Sequence, residues 1–312
     1  MSLFMYFLRQ ASSDFANRKG FTLTVTTTMT LALTAFILVG TLMYTVFIKS
    51  LPYKQSDQLM VVHHQLINDE PAVDGDAFIY PNMEYLYSEQ QAFDTSAMLY
   101  LDADVITSQP EQPMVEIKYV TPEWFSLFPA HMAKGRHFSQ TEVRNSYHPV
   151  VILTYEMWQD EFAGRADILA QAITFGGRTY KVIGVLPQNY QAPKLYGAWS
   201  NVGLYVPWDF NSVREEDRHA WGNDDSSLMF IGTLKQGITQ QQVNQSLTQL
   251  VNDNWQQKVA DDSFFRGWSI NVMAVPLKAY MTGSAKESLY LLSVGILGLV
   301  LISAINIANL FT

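Results

Sequence analysis

The sequence contains no cysteine in 312 residues. Disulfides, thiol nucleophiles and thiolate metal sites are therefore excluded, and an oxidising compartment is compatible but not required. Catalytic signatures are missing too. There is no G-x-S-x-G and hence no nucleophile elbow. There is no G-x-x-x-x-G-K-[ST], so no ATP is held by a P-loop, and no H-E-x-x-H to hold zinc on a helix. Positive charge is scarce: 20 Lys and Arg stand against 29 Asp and Glu, a net charge of −9. Nucleic-acid binding needs a basic footprint, and this balance excludes it as a partner.

Charge is also absent locally. Residues 21–48 hold no Asp, Glu, Lys or Arg, and neither do residues 288–312. A hydrocarbon core about 30 Å thick needs roughly 20 apolar helical residues. Both runs pass that length, which predicts two transmembrane helices. The mean hydropathy near zero thus averages two materials. Between the runs, residues 49–285 carry 27 acidic and 16 basic side chains, a local net charge of −11.

The first run is rich in threonine: Thr22, Thr24, Thr26, Thr27, Thr28, Thr30, Thr34, Thr41 and Thr45. Their hydroxyls can bond back to their own helix. Fully helical, the run reaches roughly 40 Å, long enough to tilt or to project as a stalk. Cleavage as a signal peptide is not expected. Twenty residues precede the run, its apolar core is too long, and no small-x-small site follows it cleanly. Arg9, Arg18 and Lys19 stand before it, which places the N-terminus on the cytoplasmic side and the acidic middle outside. Phe4, Phe7, Leu8, Ala11 and Phe15 recur at helical spacing, as in an amphipathic helix lying on the inner membrane surface.

Strands are predicted over 58–64, 95–107, 113–121, 149–154, 202–210, 228–234 and 268–277 from their apolar alternation or unbroken apolar runs. Gly176-Gly177 signals a hairpin within 172–187. Pro81 opens a helix near residue 80. A short helix and turn are expected in 122–138, and a helix over 155–164 closed by Gly164. Thr239 caps a helix over 240–260, whose apolar face is Val243, Leu247, Leu250, Val251 and Trp255. Residues 68–77 and 217–227 read as polar loops. The similar strand–helix–strand pieces at 58–120 and 228–277 bracket the block between them. The pattern predicts an α+β domain split around an insertion.

Few side chains suggest a site. His63 and His64 are adjacent on a strand, where neighbours face opposite sides, so they share no metal. His131, His137 and His148 read as surface or hydrogen-bonded residues. Asp69, Glu70, Asp74 and Asp76, and the pair Asp224-Asp225, lack the ordered ligand series of a calcium loop. Trp124 and Trp158 are expected as core anchors. Trp199, Trp208 and Trp221 lie in a Gly-, Asn- and Pro-rich stretch, and two readings stay open for them: core packing, or a partner-binding surface.

Six stretches, in order along the chain, resemble MacB/FtsX-type permeases of ABC transporters. They are "NRKGFTLTVTTTMTLALTAF" (17–36), "SLPYKQSDQLMVV" (50–62), "IYPNMEYLYSEQQAFDTSAMLY" (79–100), "VVILTYEMWQDEFAGRADILAQAITFGGRTYKVIGVLPQNY" (150–190), "LKQGITQQQV" (234–243) and "SAINIANLFT" (303–312). There are departures. Lys19 stands where the family has Pro, Ala35-Phe36 replaces a G-x-G, and the segment after "SLPY" has lost its prolines.

The resemblance implies a division of the chain. Residues 1–20 would be a cytoplasmic leader helix and 21–48 the first span. Residues 49–121 and 226–285 would form a split, porter-like subdomain, with an inserted, mostly β, Sabre-like subdomain over 122–225. Residues 286–312 would be the second span, cut short. It also implies a non-catalytic subunit of the bacterial inner membrane that binds no cofactor itself, ATP and Mg being held by a cytoplasmic ABC ATPase. A second permease copy or half, a periplasmic adaptor protein and the lipid bilayer are the other implied partners. Beyond residue 312 a cytoplasmic coupling helix and further spans are expected. The rival reading is a membrane-anchored extracytoplasmic sensor that binds a ligand and transports nothing.

Overall fold

The computed structural model describes residues 19–68, 77–139, 141–142, 144–197 and 201–310. The leader helix expected over 3–15, the acidic residues Asp69, Glu70, Asp74 and Asp76, and Trp199 lie outside the described residues. In chain order the helices and strands are α1 (Lys19–Met43), β1 (Leu59–Ile67), β2 (Phe78–Ile79), α2 (Tyr80–Glu89), β3 (Phe93–Val105), β4 (Met114–Val120), α3 (Trp124–Leu127), β5 (Lys134–Gly135), β6 (Val150–Leu153), α4 (Tyr155–Asp160), β7 (Ala172–Phe175), β8 (Arg178–Val185), β9 (Val202–Pro207), α5 (Glu215–Arg218), β10 (Asp224–Asp225), β11 (Leu228–Leu234), α6 (Gln240–Lys258), β12 (Ser269–Pro276) and α7 (Leu277–Leu310).

The chain forms two compact units, residues 51–281 and residues 1–50 with 282–312. In the second of these, Thr22–Ile48 and Lys286–Ile305 are long and apolar enough to cross a bilayer. The threonines of α1 close on their own backbone. The hydroxyls of Thr24, Thr26, Thr28, Thr41 and Thr45 each donate to the carbonyl four residues earlier, at 2.7–3.0 Å. This removes their donors from an apolar surround. The run ends in a π-helical turn over Tyr44–Ile48. There Phe47 stacks on Tyr290 of α7 with ring centroids 5.7 Å apart. Ala32, Val39 and Ile296 are buried, while leucines such as Leu31, Leu38, Leu291 and Leu301 face outward.

Residues 51–281 are built on one mixed sheet in the order β12-β1-β11-β3-β4-β9-β6-β8-β5, with β7 also paired to β8. The first five strands are antiparallel throughout and come from the two flanking segments. The remainder comes from the block between them and joins through the parallel pair β4–β9. Core lies on both faces. Met60 and Val62 of β1 enter a cluster with Phe230, Val243, Leu247, Val251 and Trp255. Leu59 and Val61 enter another with Trp124, Phe128, Ile152 and Tyr205. That double burial is why these strands read as near-continuous apolar runs.

The local chemistry explains the boundaries. Thr239 and Gln242 form a reciprocal capping box at the start of α6, which satisfies two otherwise orphaned donors. Gly176 and Gly177 take φ of +55° and +68°, the left-handed pair a tight two-residue hairpin needs. Three expectations are corrected. The helix predicted to Gly164 ends at Asp160, because Ala163 already turns to φ +48°. The loop predicted over 217–227 includes the end of α5 and the two-residue strand β10, which pairs with β2. The second apolar helix starts at Leu277, before its apolar run, and spans 34 residues.

Candidate functional site

Trp208 and Trp221 take different places. Trp208 is only 2% exposed, stacks on Tyr80 at 5.7 Å and donates its indole N–H to Glu84 Oε1 at 2.7 Å. It is a core residue and presents no face to a partner. Trp221 is half-buried against the core. Its carbonyl accepts the Trp255 indole N–H at 2.7 Å, and the Lys258 ammonium sits 5.6 Å from its ring. Trp124 and Trp158 are buried as expected. Among the described residues no group of three or more His, Asp or Glu side chains could hold a metal ion.

Two polar features escaped sequence reasoning. Glu84 on α2 gathers three donors from different parts of the fold: the Trp208 indole, the Tyr80 hydroxyl at 3.3 Å and the Arg144 guanidinium. The carboxylate thereby ties a flanking segment to the block inserted between the flanks. Lys118 on β4 is only 3% exposed. Its ammonium lies 4.7 Å from the Trp124 ring, 5.9 Å from Tyr196 and 5.8 Å from Tyr205. Burial drives its pKa down to about 8, against the opposing pull of Glu116.

The feature with room for a ligand is a fork in the sheet. Strands β1 and β11 pair from Leu59↔Thr233 to Val62↔Phe230 and then part. Beyond that point β1 stays with β12 as far as Ile67, and β11 stays with β3 back to Leu228. A cavity of about 400 Å³ occupies the gap, within the range of small-molecule sites. Val62, His64, Phe78 and Leu228 line it from one core cluster. Val61, Leu195 and Met229 line it from the other. The cavity therefore reaches both sides of the sheet.

His63 and His64 are placed as their adjacency predicts, on opposite faces. The His63 ring meets Tyr280 edge-on at 5.3 Å. His64 is buried and stacks on Phe78 at 5.0 Å. Its Nδ1 lies 3.0 Å from the Ala77 carbonyl oxygen. Since a carbonyl only accepts, Nδ1 carries the proton and Nε2 is left as a bare acceptor. Burial lowers the His64 pKa to about 4, so the ring is neutral near pH 7. His64 Nε2 has no hydrogen-bond partner among the described residues.

Comparison with known proteins accounts for this architecture. The family model described as the MacB-like periplasmic core domain matches residues 22–250. Among solved structures, a domain of a protein described as a permease from Porphyromonas gingivalis is similar at TM-score 0.53 and 12% identity, covering 73% of this chain and 92% of that one. The periplasmic region of MacB from Actinobacillus actinomycetemcomitans gives TM-score 0.47 and 14% identity over 74% of this chain and 94% of that one. The extracellular domain of the noncanonic ABC-type transporter YknZ from Gram-positive bacteria gives 0.44 and 14% over 68% and 98%. No curated protein matches. At such identity the first structure speaks to fold alone. The family model covers well over half of the sequence, and the chain belongs to the MacB-like periplasmic core domain family.

Proposed function

We propose that this chain is the N-terminal part of the permease subunit of a MacB/FtsX-type ABC transporter. One observation carries the reading: a domain of this family occupies the sequence between two helices of bilayer length. In this reading the helices span the inner membrane, and residues 49–285 lie outside the cytoplasm. Arg9, Arg18 and Lys19 hold the N-terminus inside. A separate cytoplasmic ATPase hydrolyses ATP, and its closure is transmitted to the exterior domain as a rigid-body movement. That movement drives export or extraction of a substrate. The two halves of the sheet support a porter-like subdomain from 49–121 and 226–285, with the block 122–225 inserted. A second permease copy or half and a periplasmic adaptor complete the proposed assembly.

The test is purification of the full-length gene product from its native membrane. A stoichiometric ABC ATPase in the complex supports the reading, and a product that purifies without one overturns it. Deletion of residues 52–280 should leave ATP hydrolysis by the reconstituted complex intact and abolish export. A second reading, a membrane-anchored ligand sensor without transport, is favoured by the cavity at the fork. It predicts ligand binding without a copurifying ATPase.

A further inference from the structure

We propose that the cavity at the β1–β11 fork binds an uncharged aromatic molecule carrying an N–H or O–H donor. The inference rests on the geometry of residues 51–281 and does not depend on transport.

Three observations converge on this ligand class. The first is the shape and chemistry of the walls. Five flat rings, those of His63, His64, Phe78, Tyr196 and Tyr280, line the space. Aromatic groups pack on such walls in offset or edge-on geometry. The second is the sign of the polar groups. Tyr196 directs its hydroxyl hydrogen to the Ser227 carbonyl at 2.8 Å, and Tyr280 directs its own to the Leu195 carbonyl at 3.0 Å. His64 commits its Nδ1 hydrogen to Ala77. These hydroxyl oxygens and His64 Nε2 are left as acceptors, and Nε2 is buried with no donor among the described residues. A buried acceptor in that condition has lost its water without replacement, so a donor from a ligand is favoured. The third is charge. No Lys, Arg, Asp or Glu is among the lining residues. An anion would find no counter-charge in an acidic domain, and a cation would find no carboxylate. A neutral ring with a donor fits all three conditions.

Indole is a suitable probe, and 1-methylindole has nearly the same shape with the donor removed. Equilibrium dialysis of each against the full chain in lipid nanodiscs, with empty nanodiscs as the partition blank, measures binding. The expected result is one saturable indole site per chain, with 1-methylindole bound about tenfold more weakly, as for the loss of one buried hydrogen bond. Ser226 is exposed and lines the cavity, so Ser226→Trp should fold normally and weaken indole binding at least tenfold. His64→Phe keeps a ring but removes the acceptor, and should abolish the preference for indole over 1-methylindole. If that variant does not fold, the ¹⁵N shift of His64 Nε2 on adding indole replaces it: a shift supports the proposal, and no shift overturns it. The proposal is also overturned by no saturable binding above the blank, by wild-type binding in Ser226→Trp, or by an undiminished N–H preference in folded His64→Phe. None of these outcomes alters whether an ATPase copurifies, so the permease reading stands or falls separately.

Discussion

Replacing Lys118 with methionine should stabilise the domain at neutral pH, against the usual expectation for a buried residue. Lys118 is enclosed by Trp124, Tyr196 and Tyr205, and burial lowers its pKa from 10.5 to about 8. Each pKa unit corresponds to about 1.4 kcal/mol, so holding the ammonium inside costs about 3 kcal/mol at pH 7. Attraction to the rings returns about 0.5–2 kcal/mol, which leaves a net penalty of about 1–3 kcal/mol. Methionine has similar length, no charge and an adaptable fit. The sign follows from proton binding. Between pH 8 and 10.5 the unfolded chain holds the Lys118 proton and the folded chain releases it, so stability rises with pH across that window. Below pH 8 the penalty is complete, and above 10.5 it is gone. Lys118→Met should therefore gain about 1–3 kcal/mol at pH 7, and the gain should shrink towards zero by pH 10.5. All seven tryptophans lie within residues 51–281, so tryptophan fluorescence during urea unfolding in micelles reports this domain alone. A variant less stable than the parent at pH 7, or a difference independent of pH from 8 to 10.5, would refute the reasoning. Attraction to the three rings would then outweigh the cost of burying the charge.

Acid should act through His64, whose pKa falls from 6.5 to about 4 on burial. Its stability contribution is complete above pH 6.5 and is lost as pH falls to 4, by up to about 3 kcal/mol. The parent should lose that much more over this window than a folded His64→Phe variant does. Glu84→Ala leaves the Trp208 indole and Arg144 without their acceptor, and urea unfolding should show a loss of about 2 kcal/mol. Gly135 sits at φ +70°, and a Cβ there would lie 2.0 Å from the Ile183 carbonyl oxygen. Gly135→Ala should lower stability by at least about 2 kcal/mol, while Gly177→Ala, with open space around its Cβ position, should be milder. Thr239→Ala removes the capping box of α6 and should cost about 1 kcal/mol in the same assay.

The sequence carried most of the secondary structure because its signals are local. Proline at 81, the Gly176-Gly177 turn and the Thr239 cap each act within four residues, and each element begins or turns where they stand. The apolar face of α6 was legible for the same reason: Val243, Leu247, Val251 and Trp255 are buried, and Leu250 is half-buried beside them. Local signals mislead where a second layer intervenes. In "MVEIKYV" the alternation sends Val115, Ile117 and Tyr119 to one side and Glu116, Lys118 and Val120 to the other. One side of a strand normally meets water, and the charges mark which. Here the other side is covered by Trp124, Tyr196 and Tyr205, so a lysine that reads as solvent-facing is enclosed. Trp208 was ambiguous for a related reason. Its surroundings in sequence are polar and turn-rich, but its partners Tyr80 and Glu84 come from a helix far away in the chain.

The fork was beyond reach for a stronger reason. Alternation assigns residues to faces and says nothing of which neighbour a strand keeps. At Val62 two pairings diverge: β1 follows β12, from the far end of the domain's sequence, and β11 follows β3. No residue type at 62 or 63 marks that choice, because both neighbours accept an apolar strand. The adjacent histidines carried part of the message. Their opposite orientation was predictable, and the structure shows it. Opposite orientation reads in sequence as one buried and one exposed side chain. At a gap that reaches both sides of the sheet it means instead that both rings line one cavity, His63 against Tyr280 and His64 against Phe78. A pair dismissed as a metal site on good geometric grounds thus becomes two walls of a space whose polar atoms await a donor. Sequence excluded one chemistry there, and only the divergence of strands drawn from opposite ends of the domain supplied another.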